Sequence, residues 1–256
     1  MDRTRSVGFA KLMRGITGLL GGVLLIALLI ACQPKELLGQ VSVTPSTITP
    51  NADGETDVAR VEFYLNANAD VSFSLLDGQG VRYSFRPPTR LSVRERPYTV
   101  YFGGVVEGFL YEDEPDPDYQ IVKRVLPDGV YTWELTAHAT DGRVAVVTGT
   151  LTVREADTTL PGIRGFSVYP KSFSPNQDGI DDRVTINLVL EKDVEELRVY
   201  LLGRDGVEHP IAEDERLTRP NEKGWHTFDY DGGIDAGSEP PPDGVYAVYA
   251  DARDAV

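Results

Sequence analysis

Cysteine is almost missing from this chain: Cys32 is the only one among 256 residues. No disulfide can close within the chain, and no thiolate cluster can hold a metal. Histidine is nearly as scarce, with His138, His209 and His226. None of the three stands in H-E-x-x-H, and G-x-S-x-G, the P-loop and a helix-opening G-x-G-x-x-G do not occur. Basic residues are short too, at 25 Lys+Arg against 40 Asp+Glu for a net charge of −15. Such a field repels nucleic acid and anionic headgroups, so no nucleic-acid partner is expected. Long apolar helical periodicity is absent beyond Ile30. These absences leave no nucleophile and base at a working spacing, and the chain is read as non-enzymatic.

What is present begins with an address. Arg3, Arg5, Lys11 and Arg14 precede an apolar run from Ile16 to Ile30. A basic head, a short apolar core and small residues before a cut are the features of a secretory signal. About 15 apolar residues fall short of the roughly 20 that span a bilayer. The run ends in Leu29, Ile30, Ala31 and Cys32. These four residues resemble the lipobox of bacterial lipoproteins. The resemblance implies cleavage before Cys32 and acylation there, which would anchor the protein to a membrane in the bacterial cell envelope, outside the cytoplasm. Several acyl chains hold stably where one does not. Removing residues 1–31 takes away four basic groups and Asp2, leaving 21 basic against 39 acidic groups, a net −18.

The remainder is written twice. "VSVTPSTITPNADGETD" from Val41 and "FSVYPKSFSPNQDGIDD" from Phe166 share P-N-x-D-G-x-x-D at a spacing of 125 residues. Alternating strands follow each, with Ala59, Val61, Phe63 and Leu65 on one face and Val184, Ile186, Leu188 and Leu190 in the second copy. Period two buries one face of a sheet. A second strand comes next, Val71, Phe73 and Leu75, then Leu197, Val199 and Leu201, each ending at a Gly turn. "YFGGVVEG" (Tyr101 to Gly108) matches "YDGGIDAG" (Tyr230 to Gly237) with one slip, and "LPDGVYTWEL" matches "PPDGVYAVYA". Strands at this spacing predict an all-β protein of two tandem sandwiches. The boundaries are read as signal peptide 1–31, lipidated linker 32–40, first sandwich 41–155, linker 156–163 and second sandwich 164–256. In the second copy, "DGVYAVYADARDAV" reaches the turn after which the first copy continues into "VAVVTGTLTV". The second sandwich is therefore expected to lack its last strand. Either a longer protein supplies it, or the bare edge pairs with another chain.

"FSPNQDGIDDRVTINLVL", "VYLLGRDG" and "WHTFDYDGGIDAGSEPPPDGVYAVYADARDA" resemble the Ig-like domain of flagellar hook-capping proteins. They are equally similar to the fibronectin-III-like domains of cell-envelope subtilisin-type proteases and to gliding-motility-associated C-terminal domains. The first copy departs from that pattern, with Gly103-Gly104 where Asp-Gly is usual. The resemblance implies Ig-like sandwiches used as spacer, stalk or interaction module, and implies no catalysis.

The repeated loop has two readings. Setting Gly179 at position 6 of an EF-hand puts Thr185 where a bidentate Glu is needed, and Arg60 stands there in the first copy, so neither loop is an EF-hand. A looser calcium site would use Asn176, Asp178 and Asp182, with Asn51, Asp53 and Asp57 in the first copy. The other reading is a turn in which Asn and Asp side chains bond to nearby amides. The acidic insertion Tyr111 to Gln120 is a solvated loop or a cation site. Tyr131, Trp133, Tyr246 and Tyr249 could stack on sugars, but Tyr131 and Trp133 have the spacing of core residues. The reading is thus a lipid-anchored stalk or interaction module. The alternative is a glycan- or protein-binding accessory subunit of an envelope enzyme or of a secretion or motility complex.

Overall fold

Alternating burial decides the strands. In the computed structural model, which describes residues 35–111, 114–115, 117, 119–213, 219–235 and 237–256, every described element is a strand. The expected signal segment with Leu29, Ile30, Ala31 and Cys32 lies outside the described residues. Among the described residues, no helix is long and apolar enough to cross a membrane.

The first copy contains β1 (Leu38–Thr44), β2 (Thr47–Ile48), β3 (Ala59–Leu65), β4 (Ala69–Leu76) and β5 (Arg82–Leu91). It continues with β6 (Tyr98–Phe102), β7 (Val105–Glu107), β8 (Lys123–Val125), β9 (Gly129–Ala139) and β10 (Val144–Val153). One sheet has the order β1-β3-β6, the other β2-β10-β9-β4-β5, and β7 and β8 pair separately. The two larger sheets share one core. Val61 and Phe63 of β3, Phe73 of β4, Phe102 of β6 and Leu135 of β9 are all buried in it. Phe102 packs edge-on against Phe85 at 4.7 Å between ring centroids. Each such side chain contributes roughly 1.5–3 kcal/mol by leaving water.

The second copy contains β11 (Ile163–Tyr169), β12 (Val184–Leu190), β13 (Glu196–Leu202), β14 (Glu208–Ile211), β15 (Gly224–Tyr230) and β16 (Ala247–Arg253). Its sheets are β11-β12-β15 and β14-β13-β16, closing on Ile186, Leu188, Val199, Leu201 and Phe228. The described residues are therefore all-β, with two sandwiches in tandem.

Details of the duplication go below the level of motifs. The register of β1 on β3 shifts between Gly39 and Ser42, and that of β11 on β12 shifts between Arg164 and Ser167, 125 residues on. The backbone turns left-handed at Gln40 (φ 48) and at its counterpart Gly165 (φ 61). An extra residue of this kind bends the strand and sharpens its twist. One equivalence read from sequence is corrected. Ala59 pairs with Phe102, and Val184 pairs with Tyr230. Phe102, and not Tyr101, is thus the counterpart of Tyr230, and Gly104 is that of Gly232.

The copies differ at one edge. In the first, β9 is covered along its length by β10, from Val144 opposite His138 to Val153 opposite Gly129. In the second, β16 pairs with β13 alone among the described residues.

Candidate functional site

Each repeated loop leaves the edge of its sandwich and returns on its last Asp. Asp57 accepts from the amides of Asn51 and Ala52 through Oδ1, both at 3.2 Å, and from Gly54 through Oδ2 at 2.8 Å. Asn51 Oδ1 accepts from the Asp53 amide at 3.0 Å, and Asp53 Oδ1 from the Glu55 amide at 2.7 Å. The second loop repeats the scheme. Asp182 takes the amides of Gln177 (2.8 Å) and Gly179 (2.7 Å), Asn176 that of Asp178, and Asp178 that of Ile180. Asn176 Nδ2 also donates to Asp178 Oδ2 at 2.9 Å. Gly54 (φ 85) and Gly179 (φ 87) make the left-handed step that directs these amides inward.

The structure thus brings Asn51, Asp53 and Asp57 together, and likewise Asn176, Asp178 and Asp182, but it turns them toward their own backbone. Each of the six offers a side-chain oxygen to an amide of its loop. Among the described residues, no three acidic, His or Cys side chains gather in a group that could hold a metal ion. These hydrogen bonds are those of the Asx-type turn. The turn predicts that EDTA or millimolar Ca²⁺ leaves the melting temperature unchanged. A rise of several degrees with Ca²⁺, reduced by Asp178→Ala and Asp53→Ala, would restore the metal site, because a ligand of the native state stabilises it by mass action.

The loop proline rests on a glycine of the opposite strand end. A Cβ on Gly104 would lie 2.9 Å from Pro50 Cγ, and one on Gly232 would lie 3.1 Å from Pro175 Cβ. Only the second copy has an acid beside that glycine. Asp231 is buried and takes the amides of Gly233 and Asp235, with Arg183 3.6 Å away. Burial pushes its carboxyl up, but the two amides and Arg183 outweigh this and hold it below the ordinary Asp value. Arg183 also pairs with Asp229 and Asp235. Gly103 replaces this acid in the first copy and forgoes the network.

The acidic insertion is tied down by a cation of the protein's own. Arg124 is buried, stacks over Tyr111 at 4.4 Å and pairs through both terminal nitrogens with Glu114. Those hydrogen bonds hold the Glu114 carboxyl below its ordinary value against a burial effect of opposite sign. The aromatic residues divide as their spacing suggests. Tyr131 and Trp133 are core, whereas Tyr249 is exposed and stacks on Tyr200 at 5.5 Å. His226 is buried, with Nε2 2.7 Å from the carbonyl of Glu222 and Nδ1 2.5 Å from Glu213. A carbonyl only accepts, so Nε2 carries the hydrogen.

Between the copies the chain is held from both sides. Asp128 accepts from the amides of Glu155 and Ala156, each at 3.0 Å. The Asp157 amide donates to the Pro50 carbonyl at 2.9 Å. The Asp157 carboxylate caps Thr159 and receives Lys192 Nζ at 2.7 Å. Lys192 reaches Asp254 at 2.7 Å and the carbonyl of Thr159 at 3.0 Å. Burial lowers the lysine's pKa, but its two carboxylates prevail and it is raised overall. Asp157 is lowered, chiefly by the bond from Lys192.

Twin sandwiches with self-bonded loops and a held junction are the features the described residues share. No protein-family model matches the chain, and no curated protein does. Among solved structures it is similar to one described as a Ca²⁺-stabilized adhesin that helps an Antarctic bacterium reach out and bind ice. The identity is 13% and the TM-score 0.22, over 84% of this chain and 48% of that one. The chain thus spans about half the length of that protein.

Proposed function

We propose that the chain is a non-enzymatic lipoprotein of the bacterial cell envelope, anchored through Cys32, in which two Ig-like sandwiches act as a stalk or interaction module. The observation that carries this reading is the junction. Asp157 bonds to Pro50 of the first copy and Lys192 of the second, so the linker is fastened at both ends. A spacer that projects a surface away from a membrane needs such restraint, whereas a loose tether would let its domains tumble independently.

Two substitutions test the reading separately. Cys32→Ala should abolish incorporation of labelled palmitate and leave an unprocessed or soluble form; equal labelling of variant and wild type rejects the anchor. Lys192→Met should widen the small-angle scattering envelope and speed proteolysis between Ala156 and Ile163. Unchanged scattering and cleavage reject the restrained stalk. The same release should occur in wild type at acid pH. Because the Asp157 carboxyl is lowered in the folded protein, its contribution is complete above the ordinary Asp range and is lost as pH falls below it.

The second reading, a glycan- or protein-binding accessory subunit of an envelope enzyme or of a secretion or motility complex, is favoured by Tyr249, which is exposed and stacked on Tyr200. A pull-down from envelope extract beside a glycan array separates a protein partner from a glycan.

A further inference from the structure

We propose that the first sandwich binds a small unbranched aliphatic carboxylate in a cleft between its two sheets, with the charge held by Arg86. Such a site goes beyond the stalk reading and does not depend on the lipid anchor.

The cleft follows from the way β5 is built. β5 and β6 each end the strand order of their sheet. Along β4 the pairing of β5 slips twice. Val71 faces Thr89, Phe73 faces Arg86 and Ser74 faces Ser84, so β5 carries one extra residue at each step. Extra residues of this kind bend a strand and re-aim its side chains. Pro87 and Pro88 lie in the same stretch and take two amide donors out of it. Beneath the bent strand lies a narrow apolar space. It is lined by Phe63 of β3, Phe73 of β4, Leu91 of β5, Val100 of β6 and Leu135 of β9, together with Arg86.

The second slip turns Arg86 toward this space. Residues directly opposite in a ladder stand on the same face of the sheet. Arg86 is opposite Phe73, which is buried in the core. Phe85 packs on the same core, so two consecutive residues of β5 share the inner face. Arg86 is thus half-buried beside apolar side chains. Its neighbours along the strand are neutralised, Arg82 by Glu134 and Arg90 by Asp70. Arg86 pairs with no carboxylate among the described residues, although the chain carries 40 acidic groups. A charge set against apolar surface is costly unless it is paired. Where a sequence breaks such a rule without local compensation, a ligand is the expected compensation.

The chemistry of the cleft selects that ligand. A guanidinium presents a planar fork of donors, which a carboxylate meets with two parallel hydrogen bonds. One unpaired arginine matches one negative charge, and a net charge of −15 disfavours a ligand that carries more. The apolar part must be slim. The enclosed space is about 10 Å³, room for roughly one water-sized group. A terminal methyl fills it and an aromatic ring does not.

The test uses the full chain in phosphatidylcholine nanodiscs. The chain has two tryptophans, so a Trp225→Phe background leaves buried Trp133 to report unfolding of the first sandwich. Millimolar hexanoate should raise that transition by several degrees over sodium chloride of equal ionic strength, because a ligand of the native state stabilises it by mass action. Hexanamide keeps the chain and lacks the charge, and should need about tenfold more for the same rise. Benzoate, too wide for the cleft, should do no more than sodium chloride. Arg86→Gln, a change at a half-exposed side chain, should bring hexanoate down to the level of hexanamide and leave the hexanamide response unchanged. The proposal is overturned if hexanoate does no more than sodium chloride, if hexanamide or benzoate equals it, or if Arg86→Gln leaves the tenfold difference intact.

Discussion

Gly104→Ala and Gly232→Ala should each destabilise their own sandwich by about 2–4 kcal/mol, combining a left-handed backbone that alanine adopts reluctantly with overpacking of a rigid ring. Both glycines have φ near +80, at 80 and 81. The added Cβ would meet Pro50 at 2.9 Å in one copy and Pro175 at 3.1 Å in the other. A proline ring cannot swing aside as a long side chain can. The loops supply an internal control. Gly54 and Gly179 have the same backbone sign, with nothing within 4 Å of an added Cβ. Their alanine variants should lose only the conformational part, about 1–2 kcal/mol. Urea melts of the four variants check this. Equal losses at all four positions would mean that the proline contact contributes nothing.

Gly149→Ala should cost the first sandwich about 1–3 kcal/mol by overpacking. Glycine weakens a strand in general, so alanine would otherwise be an improvement. Here Gly149 lies directly opposite Trp133, and a Cβ would fall on the indole ring. The indole is buried and lies stacked 6.2 Å from Phe73, so it cannot move without disturbing the core. The two tryptophans make the measurement specific. Trp133 reports on the first copy from a buried site, while Trp225 of the second is exposed. The Trp133 transition should shift to lower urea and the second copy should not respond. Combining Gly149→Ala with Trp133→Phe should recover part of the loss; strict additivity of the two changes would refute the contact as its cause.

The features legible in sequence were those whose signal is local. Alternation at Ala59, Val61, Phe63 and Leu65, and again from Val184 to Leu190, marks the inner face of β3 and β12 because side chains along a strand change sides at each step. The P-N-x-D-G-x-x-D loops were visible as motifs, but the orientation of their carboxylates was not. Whether Asp57 and Asp182 face a cation or an amide depends on left-handed steps at Ala52 and Gln177, which no composition rule marks. Aligning Tyr101 with Tyr230 was persuasive as text, and strand pairing overrules it because hydrogen bonding counts from Ala59 and Val184. Long-range contacts left no trace at all. Lys192 meets Asp157 and Asp254 across 35 and 62 residues, and His226 meets Glu213 through a bend of the chain.

The short parallel contact of β2 with β10 has a mechanical meaning. It joins a segment near the start of the first sandwich to its last strand, at Thr47 opposite Thr152 and Ile48 opposite Val153. When the ends of that sandwich are drawn apart, these bonds lie across the line of tension. They must then fail together, whereas a hairpin pulled from one end opens one rung at a time. These rungs make the first sandwich resist such a pull as one unit.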